Sequence, residues 1–577
     1  DTTMIMIYIP KLLLSAPLLL LLLVLLLGIP SGNGSDDESS SSWEVRVNVT
    51  TGSASVMVDQ WFSFSLHPPN EVLGWNNNGN LQLLSRTADI THGNYDAALK
   101  AFGPYTNYRF CWQEEEETNT THKPRRRRRQ VETSYWVFEE HDMVIFEQVF
   151  PNGWTNNMND ASSSSPPDYF GASSIVMGFP SIDTTILATP PPEEEDDTDL
   201  GYLVWGDCFA AFADHGTSWK SLNDEELQQR FNGHTHGQPW LLHDNSKTGR
   251  AVVWSNLDNF FVSGFAYDNT TSSIQVGLRN TLQSVPNNFR HRSVLVSSTS
   301  GSRNGITSTM MQWGDVLLAY GGANKKRTNV YDDFVLAHVG YFTDNGAYHY
   351  MAAHEPEYAN MEEALLGVKN GLWNEQNKVP IRYMQWDDWW MESDGDMPGM
   401  TSWQSQPNIF PSGFSNWLDM PLSLYAPGYS GRNVWIHDNN NDYDWKITNN
   451  TSHGGFTAIP TDVEFYKDLF RNGTQIGMTL FEQDFLCSYG IGGTGLTSTD
   501  VDAGSNWLRA MNDAALAYNV SVQLCMANTY HLMFSTTLPR VTNARATGDN
   551  TRNYDSITPM GQNGLLFHAL GIFASRD

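Results

Sequence analysis

Cysteine is scarce in this sequence, with only Cys111, Cys208, Cys487 and Cys525 among 577 residues. That excludes a disulfide-built scaffold, and the absence of CxxC spacing excludes a thiolate zinc site of the usual kind. Cys111–Cys208 and Cys487–Cys525 are plausible bridges because each pair lies within one expected domain, although the sequence does not fix the pairing. Basic residues are also few: 34 Lys and Arg face 64 Asp and Glu, a formal net charge of −30. A polyanionic partner would be repelled over most of such a surface, so no nucleic-acid partner is expected. The exception is Arg125 to Arg129, close behind Glu114 to Glu117. It reads as a solvated insertion or as a processing site for a basic-specific protease. His234-Thr-His236 has no carboxylates around it and reads as loop, not metal site. No internal repeat is seen.

Aromatic residues are abundant, with 20 Trp, 23 Tyr and 28 Phe. Flat rings pack on the apolar face of a pyranose, but they also fill large β-rich cores, so the count leaves both readings open. Leu12 to Ile29 is an almost unbroken apolar run, preceded by Lys11 and followed by Pro30, Ser31 and Gly32. Residues 1–30 therefore read as a signal peptide or an uncleaved signal anchor, and a membrane association is expected only in the second case. Either way the chain is expected to enter the secretory pathway, as a secreted or lumenal protein or one anchored through residues 12–29. Asn33, Asn48, Asn119, Asn269, Asn449, Asn450, Asn472 and Asn519 each begin an N-glycosylation sequon, which agrees.

Residues 31–42 are a Ser/Asp-rich linker with nothing to pack. From 43 to 325 the text alternates apolar and polar residues in short runs, as in Trp43-Glu-Val-Arg-Val, Val144-Ile-Phe-Glu-Gln-Val-Phe and Ala251-Val-Val-Trp. This predicts an antiparallel β-sandwich domain interrupted by low-complexity insertions at 113–130, 162–167 and 190–197. From 326 to 577 short apolar strands alternate with helical text. Strands are expected at Val335–Phe342, Ile381–Trp386, Asn433–His437, Gly477–Phe481, Val520–Met526, Arg540–Ala546 and Leu565–Phe573. Helices are expected at Met361–Val368, Val463–Phe470 and Trp507–Ala517. The succession predicts a (β/α)8-type TIM barrel that stops after its seventh strand, hence a C-terminally incomplete catalytic domain. A barrel lacking one strand would leave two parallel edges unpaired.

Three of the expected strands end in carboxylates: Asp387 and Asp388, then Asp484, then Asp549. In a parallel barrel the carboxyl ends of all strands meet on one face, so these groups converge although distant in sequence. A lone Asp after a strand usually caps the next helix. Three in one barrel point instead to glycoside cleavage, which needs two carboxyl groups on opposite sides of the anomeric carbon. The Asn- and Asp-rich stretch Asp438 to Asp444 is either a calcium loop or a loop at the pocket mouth. Trp435, Tyr443 and Trp445 either line that cleft or pack the barrel top.

On these residues the sequence resembles the α-galactosidases and raffinose synthases of glycoside hydrolase families 36 and 27. Asp387-Asp388-Trp389-Trp390 is similar to their strand-two Asp-Asp-Gly-Trp signature. Phe481-Glu482-Gln483-Asp484 sits where they carry the strand-four nucleophile, and Arg545-Ala546-Thr547-Gly548-Asp549 looks like their strand-six segment bearing the acid/base. Phe342-Thr343-Asp344 resembles the strand-one position lining the sugar pocket. The resemblance implies a retaining α-glycosidase acting on a terminal α-linked sugar by double displacement, with Asp484 as nucleophile and Asp549 as acid/base. Asp344, Asp387, Asp388, Trp389, Trp390 and Arg545 would bind the substrate, an oligosaccharide or glycoconjugate, and no metal or organic cofactor is implied. A glycosyl-transferring variant and a non-catalytic carbohydrate-binding protein on a decayed barrel are the alternatives. Two positions depart from the pattern. The lysine expected two places before the nucleophile is Glu482, which reverses a charge and counts against galactose itself, and Gly548 replaces a residue of the acid/base signature.

Overall fold

The first nine-stranded sheet is antiparallel and runs, in spatial order, 212–216, 200–205, 240–244, 251–256, 289–297, 143–150, 130–138, 106–114 and 81–89. A second antiparallel sheet, of seven strands, gathers residues between Trp43 and Arg279. The structure, a computed structural model, describes residues 43–48, 51, 53–58, 62–67, 81–89, 97–114, 130–155, 175–184, 187–188, 199–206, 208–210, 212–231, 238–244, 250–297, 305–322, 325–343, 357–372, 379–394, 399–413, 419–437, 442–450, 455–490, 493–548 and 557–575. The apolar run at 12–29, the Arg125–Arg129 cluster, the His234–His236 pair and the low-complexity tracts at 162–167 and 190–197 lie outside these residues.

The two antiparallel sheets meet through their rings. Tyr135 of one lies edge-on to Phe179 of the other at 5.1 Å, and Trp254 lies edge-on to Phe265 at 4.7 Å. Such edge-to-face pairs bring the positive ring rim to the negative ring face. Two separate antiparallel sheets with rings between them fit the expected sandwich. The strand-only reading of this region misses a helix, α1 (Ile306–Gly321), which follows the last antiparallel strand. Its Met310, Trp313, Leu317 and Leu318 are buried on one stripe, and Trp313 donates its indole N–H to Ser255 Oγ at 2.8 Å.

The parallel sheet has seven strands in sequential order: β1 (Val339–Phe342), β2 (Ile381–Trp386), β3 (Leu422–Ala426), β4 (Met478–Gln483), β5 (Ser521–Leu524), β6 (Val541–Arg545) and β7 (Phe573–Ser575). Consecutive parallel strands require crossovers, and helices supply several of them: α2 (Met361–Leu372), α3 (Val463–Gln475), α4 (Ala503–Tyr518) and α5 (Ile557–Ala569). Along β4 the side chains alternate between two environments. Phe481 packs outward on Phe470 of α3, with ring centroids 4.9 Å apart. Leu480 turns inward to Tyr383 and Val335. The sheet therefore has an apolar outer layer under the helices and an inner face whose chemistry is set by every second residue.

Three expected strands are corrected. Asn433–His437 is a helical turn over Val434–His437, because the Asn433 side chain accepts from the Ile436 N–H at 3.0 Å and caps it. The third strand is Leu422–Ala426 instead. The run Leu565–Phe573 is mostly α5, whose Leu566, Phe567 and Ala569 are buried, and Gly571 at φ +78° ends it before β7. Val335 belongs to a short helix capped by Asp333, and β1 begins only at Val339.

The disulfide also differs from both expected pairs. Cys208 is bonded to Cys487, with Cα atoms 5.6 Å apart, leaving Cys111 and Cys525 free. The loop carrying Cys208 leaves the nine-stranded sheet and reaches the carboxyl end of β4, so sharing an expected domain was the wrong criterion. Among the described residues no helix is long and apolar enough to cross a membrane.

Candidate active site

Because the strands are parallel, Thr343, Asp387, Ala426, Asp484, Cys525 and Arg545 all stand at the carboxyl ends of their strands, on one edge of the sheet. Asp484 follows β4 and is 7% exposed. Its Oδ2 accepts from the Tyr425 hydroxyl at 2.8 Å, and its Oδ1 accepts from the Phe485 N–H at 2.6 Å. Cys525, after β5, hydrogen-bonds the same carboxylate, and the Arg545 guanidinium Nη1 approaches Cys525 Sγ at 3.4 Å. Burial pushes the Asp484 carboxyl above its usual range. The bonds from Cys525, Phe485 and Tyr425 and the Arg545 charge oppose that rise.

Tyr425, on β3, joins the other carboxylates to this one. Burial raises its phenol well above the ordinary value, and the charges of Asp484, Asp387 and Asp388 add to the effect. Its hydroxyl therefore stays a donor. Asp387 is 7% exposed; its backbone N–H donates to Thr343 Oγ1 at 3.1 Å, and its Oδ2 accepts from the Gln385 amide. The Asp388 N–H donates to Asp387 Oδ1 at 2.8 Å. Asp387 and Asp388 are thus positioned by a fixed threonine, itself held by Gln385, which accepts its hydroxyl at 2.9 Å.

One layer deeper lies Glu482, the departure from the expected lysine. It is 1% exposed, and its two oxygens accept from Gln385 Nε2 at 3.1 Å and Gln523 Nε2 at 2.9 Å. Being two residues before Asp484 on a strand, it shares that residue's face about 6–7 Å below it. The carboxylate is satisfied by two amides from neighbouring strands rather than left facing the site.

Trp389 and Trp390 do not stand open to a ligand. Trp389 donates its indole N–H to Thr343 Oγ1 at 3.0 Å and stacks on Phe410 at 5.6 Å. Trp390 is 0% exposed, packed against Trp403 at 5.3 Å and Trp386 at 6.3 Å. The aromatic ring that lies over the site is another one, the half-buried Phe209, whose centroid is 5.4 Å from the Arg545 guanidinium carbon. Trp435, Tyr443 and Trp445 pack around Phe465 at 5.2, 5.7 and 5.0 Å, which assigns them to the outer layer beside α3. With Trp403, Asp468 and Asn472, Trp435 and Tyr443 border a separate cavity of about 100 Å³. Asp344, Asp549 and the first part of the Asp438–Asp444 stretch lie outside the described residues, as does any geometry between the expected nucleophile and acid/base. No cluster of three or more His, Cys, Asp or Glu suited to a metal occurs among the described residues.

Tyr425, Cys525, Thr343 and Phe209 escaped the sequence reading. Tyr425 sits in Leu422-Ser-Leu-Tyr-Ala, a run with strand alternation that the later apolar stretch at Asn433 displaced. Cys525 lies at the end of an expected strand, but in the sequence nothing distinguishes it from a disulfide partner.

No protein-family model matches the sequence, and no curated protein matches it. The fold is similar to solved glycosidases. An α-galactosidase from Lactobacillus brevis is 12% identical at a TM-score of 0.43, over 86% of this chain and 63% of that one. The GH36 α-galactosidase AgaB from Geobacillus stearothermophilus is 10% identical at 0.44, over 94% and 68%. The ligand-free α-N-acetylgalactosaminidase NagBb from Bifidobacterium bifidum is 10% identical at 0.45, over 88% and 80%. This chain thus spans less than two thirds of the length of the Lactobacillus brevis enzyme. All three TM-scores lie below 0.5, and what the site does chemically is set by its own side chains.

Proposed function

We propose that this chain is a retaining α-glycosidase acting on a terminal α-linked sugar of an oligosaccharide, with Asp484 as nucleophile and Asp549 as acid/base. The observation that carries the proposal is the Asp484 carboxylate, buried at a strand end with both oxygens held and a guanidinium close by. In the first step a carboxylate oxygen attacks the anomeric carbon, the bond to the leaving oxygen breaks, and Asp549 gives that oxygen a proton. In the second, water attacks the same carbon, Asp549 takes the proton, and the ester to Asp484 breaks. Asp387 and Asp388 would accept hydrogen bonds from hydroxyls distal to the anomeric centre, and Arg545 would donate to one near it. The test is turnover by the purified full-length protein of a panel of aryl α-glycosides, with Asp484→Asn as the control. Release of the aryl alcohol by the parent and not by the variant is expected. Sugar binding without turnover of any glycoside would favour the carbohydrate-binding alternative.

We also infer that the protein matures in the secretory pathway and carries N-glycans. Asn48, Asn269, Asn449, Asn472 and Asn519 are exposed, and a Cys208–Cys487 disulfide suits an oxidising compartment. Treatment of the protein from a eukaryotic host with an N-glycan-removing enzyme should increase its gel mobility. An unchanged band would reject this.

A further inference from the structure

Cys208, Phe209 and Ala210 form a short turn between strand 200–205 and the edge strand 212–216 of the nine-stranded sheet, yet they act at the other end of the chain. Cys208 is bonded to Cys487, three residues beyond Asp484. The Cys487 N–H donates to the Met526 carbonyl at 2.9 Å, and Cys208 Sγ lies 3.6 Å from that same oxygen. The loops after β4 and β5 and the turn from the antiparallel sheet are thereby tied at one point. Phe209 lies over Arg545, Arg545 reaches Cys525, and Cys525 hydrogen-bonds Asp484.

The backbone gives an independent observation. Phe209, Phe485 and Met526 all adopt the left-handed region, at φ of 63°, 56° and 48°. None is glycine, and such residues persist only where the surroundings over-determine them, typically around functional sites. Each one flanks a member of this cluster: Phe209 follows Cys208, Phe485 follows Asp484, and Met526 follows Cys525.

We propose that Phe209, held in place by the Cys208–Cys487 disulfide, is a positioning residue for the Asp484 site. Its ring fixes the plane of the Arg545 guanidinium by cation–π contact and closes the site above Cys525. The activity part of this proposal rests on the glycosidase reading; the closure part does not.

The experiment uses a Cys111→Ser background, so that Cys525 is the free thiol followed. Alkylation of Cys525 by iodoacetamide is measured in the native, oxidised protein, alongside kcat and KM on the best aryl glycoside. Phe209→Leu keeps apolar bulk but removes the ring; it should alkylate at least tenfold faster and lose at least tenfold in kcat/KM. Phe209→Trp should restore both values to near the parent, and Cys208→Ser with Cys487→Ser should behave as Phe209→Leu does. Phe209→Met substitutes if Phe209→Leu loses cooperative unfolding. An alkylation rate within twofold of the parent overturns the closure. Faster alkylation with unchanged kcat/KM overturns the positioning role. Faster alkylation in a protein whose parent turns over no glycoside supports the closure and rejects the glycosidase reading alone.

Discussion

The Tyr425 hydroxyl donates to Asp484 Oδ2 at 2.8 Å, from a strand that neighbours the one ending in Asp484. A phenol so placed keeps the carboxylate ionised and aimed, and it does so without a full positive charge. Tyr425→Phe removes one of the bonds that lower the Asp484 pKa, so the carboxyl should titrate at higher pH. The acid limb of kcat/KM should move upward in pH. At neutral pH the rate should fall roughly ten- to a hundredfold, the loss of a hydrogen bond of about 1.5–3 kcal/mol to a charged group. A pH–rate profile with an unmoved acid limb would show that Tyr425 does not tune this carboxyl.

Asp484→Asn and Asp549→Asn should fail differently. Loss of the nucleophile removes the covalent step for every substrate, whatever the leaving group. Loss of the acid matters most when the departing alcohol needs a proton, so Asp549→Asn should still be glycosylated by a nitrophenyl glycoside. Azide should then speed breakdown of that intermediate and yield a glycosyl azide of retained configuration. Azide rescue of Asp484→Asn with retained product, and of Asp549→Asn with inverted product, would exchange the two roles.

Glu482 links β2, β4 and β5 through two amide donors. Glu482→Gln places an N–H against an amide N–H unless Gln523 turns over, and should cost about 1–3 kcal/mol. Glu482→Ala leaves both amides without this acceptor and adds a void, and should cost more, about 3–5 kcal/mol. Urea unfolding midpoints should fall in the order parent, Glu482→Gln, Glu482→Ala. Equal midpoints would mean that the network contributes nothing to the fold.

His531 is buried, and its Nδ1 accepts from the Asn528 N–H at 3.0 Å, capping the helix Thr529–Phe534. Burial depresses its pKa from 6.5 to about 3. Between these values the unfolded chain takes up a proton that the folded chain refuses, so its contribution is present above pH 6.5 and lost as pH falls toward 3. The stability advantage of the parent over His531→Gln should therefore shrink by about 1.4 kcal/mol per pH unit below that point. Urea titrations at several pH values measure it; a constant difference would contradict the assignment.

The parts of the fold legible in the sequence were those where one local signal was strong. Ile381–Trp386 is a strand at both bounds, and the helices beginning at Met361 and Val463 are found where the period of apolar residues put them. The carboxylates Asp387 and Asp484 could be placed because strand ends in a parallel sheet share one edge. Residues whose role is set by a partner far along the chain were not legible. Phe209 reads as one aromatic among many until its turn is brought to Arg545. Leu422–Ala426 and the apolar turn at Val434 compete for the same strand, and only the Asn433 cap decides between them. Trp389 and Trp390 carry a sugar-site pattern, yet their rings are enclosed by Thr343, Phe410, Trp386 and Trp403.

The order of synthesis gives the Cys208–Cys487 bond a further meaning. Cys111 and Cys208 both leave the ribosome before Cys487, and the bonded pair is 279 residues apart. During that interval the earlier two thiols are each other's nearest partner along the chain. In an oxidising lumen, the native bond then depends either on the antiparallel sheets keeping Cys111 and Cys208 apart or on a thiol exchange that undoes their pairing. Yield of this protein should consequently depend on the disulfide isomerase capacity of the host, and replacing Cys111 should relax that dependence.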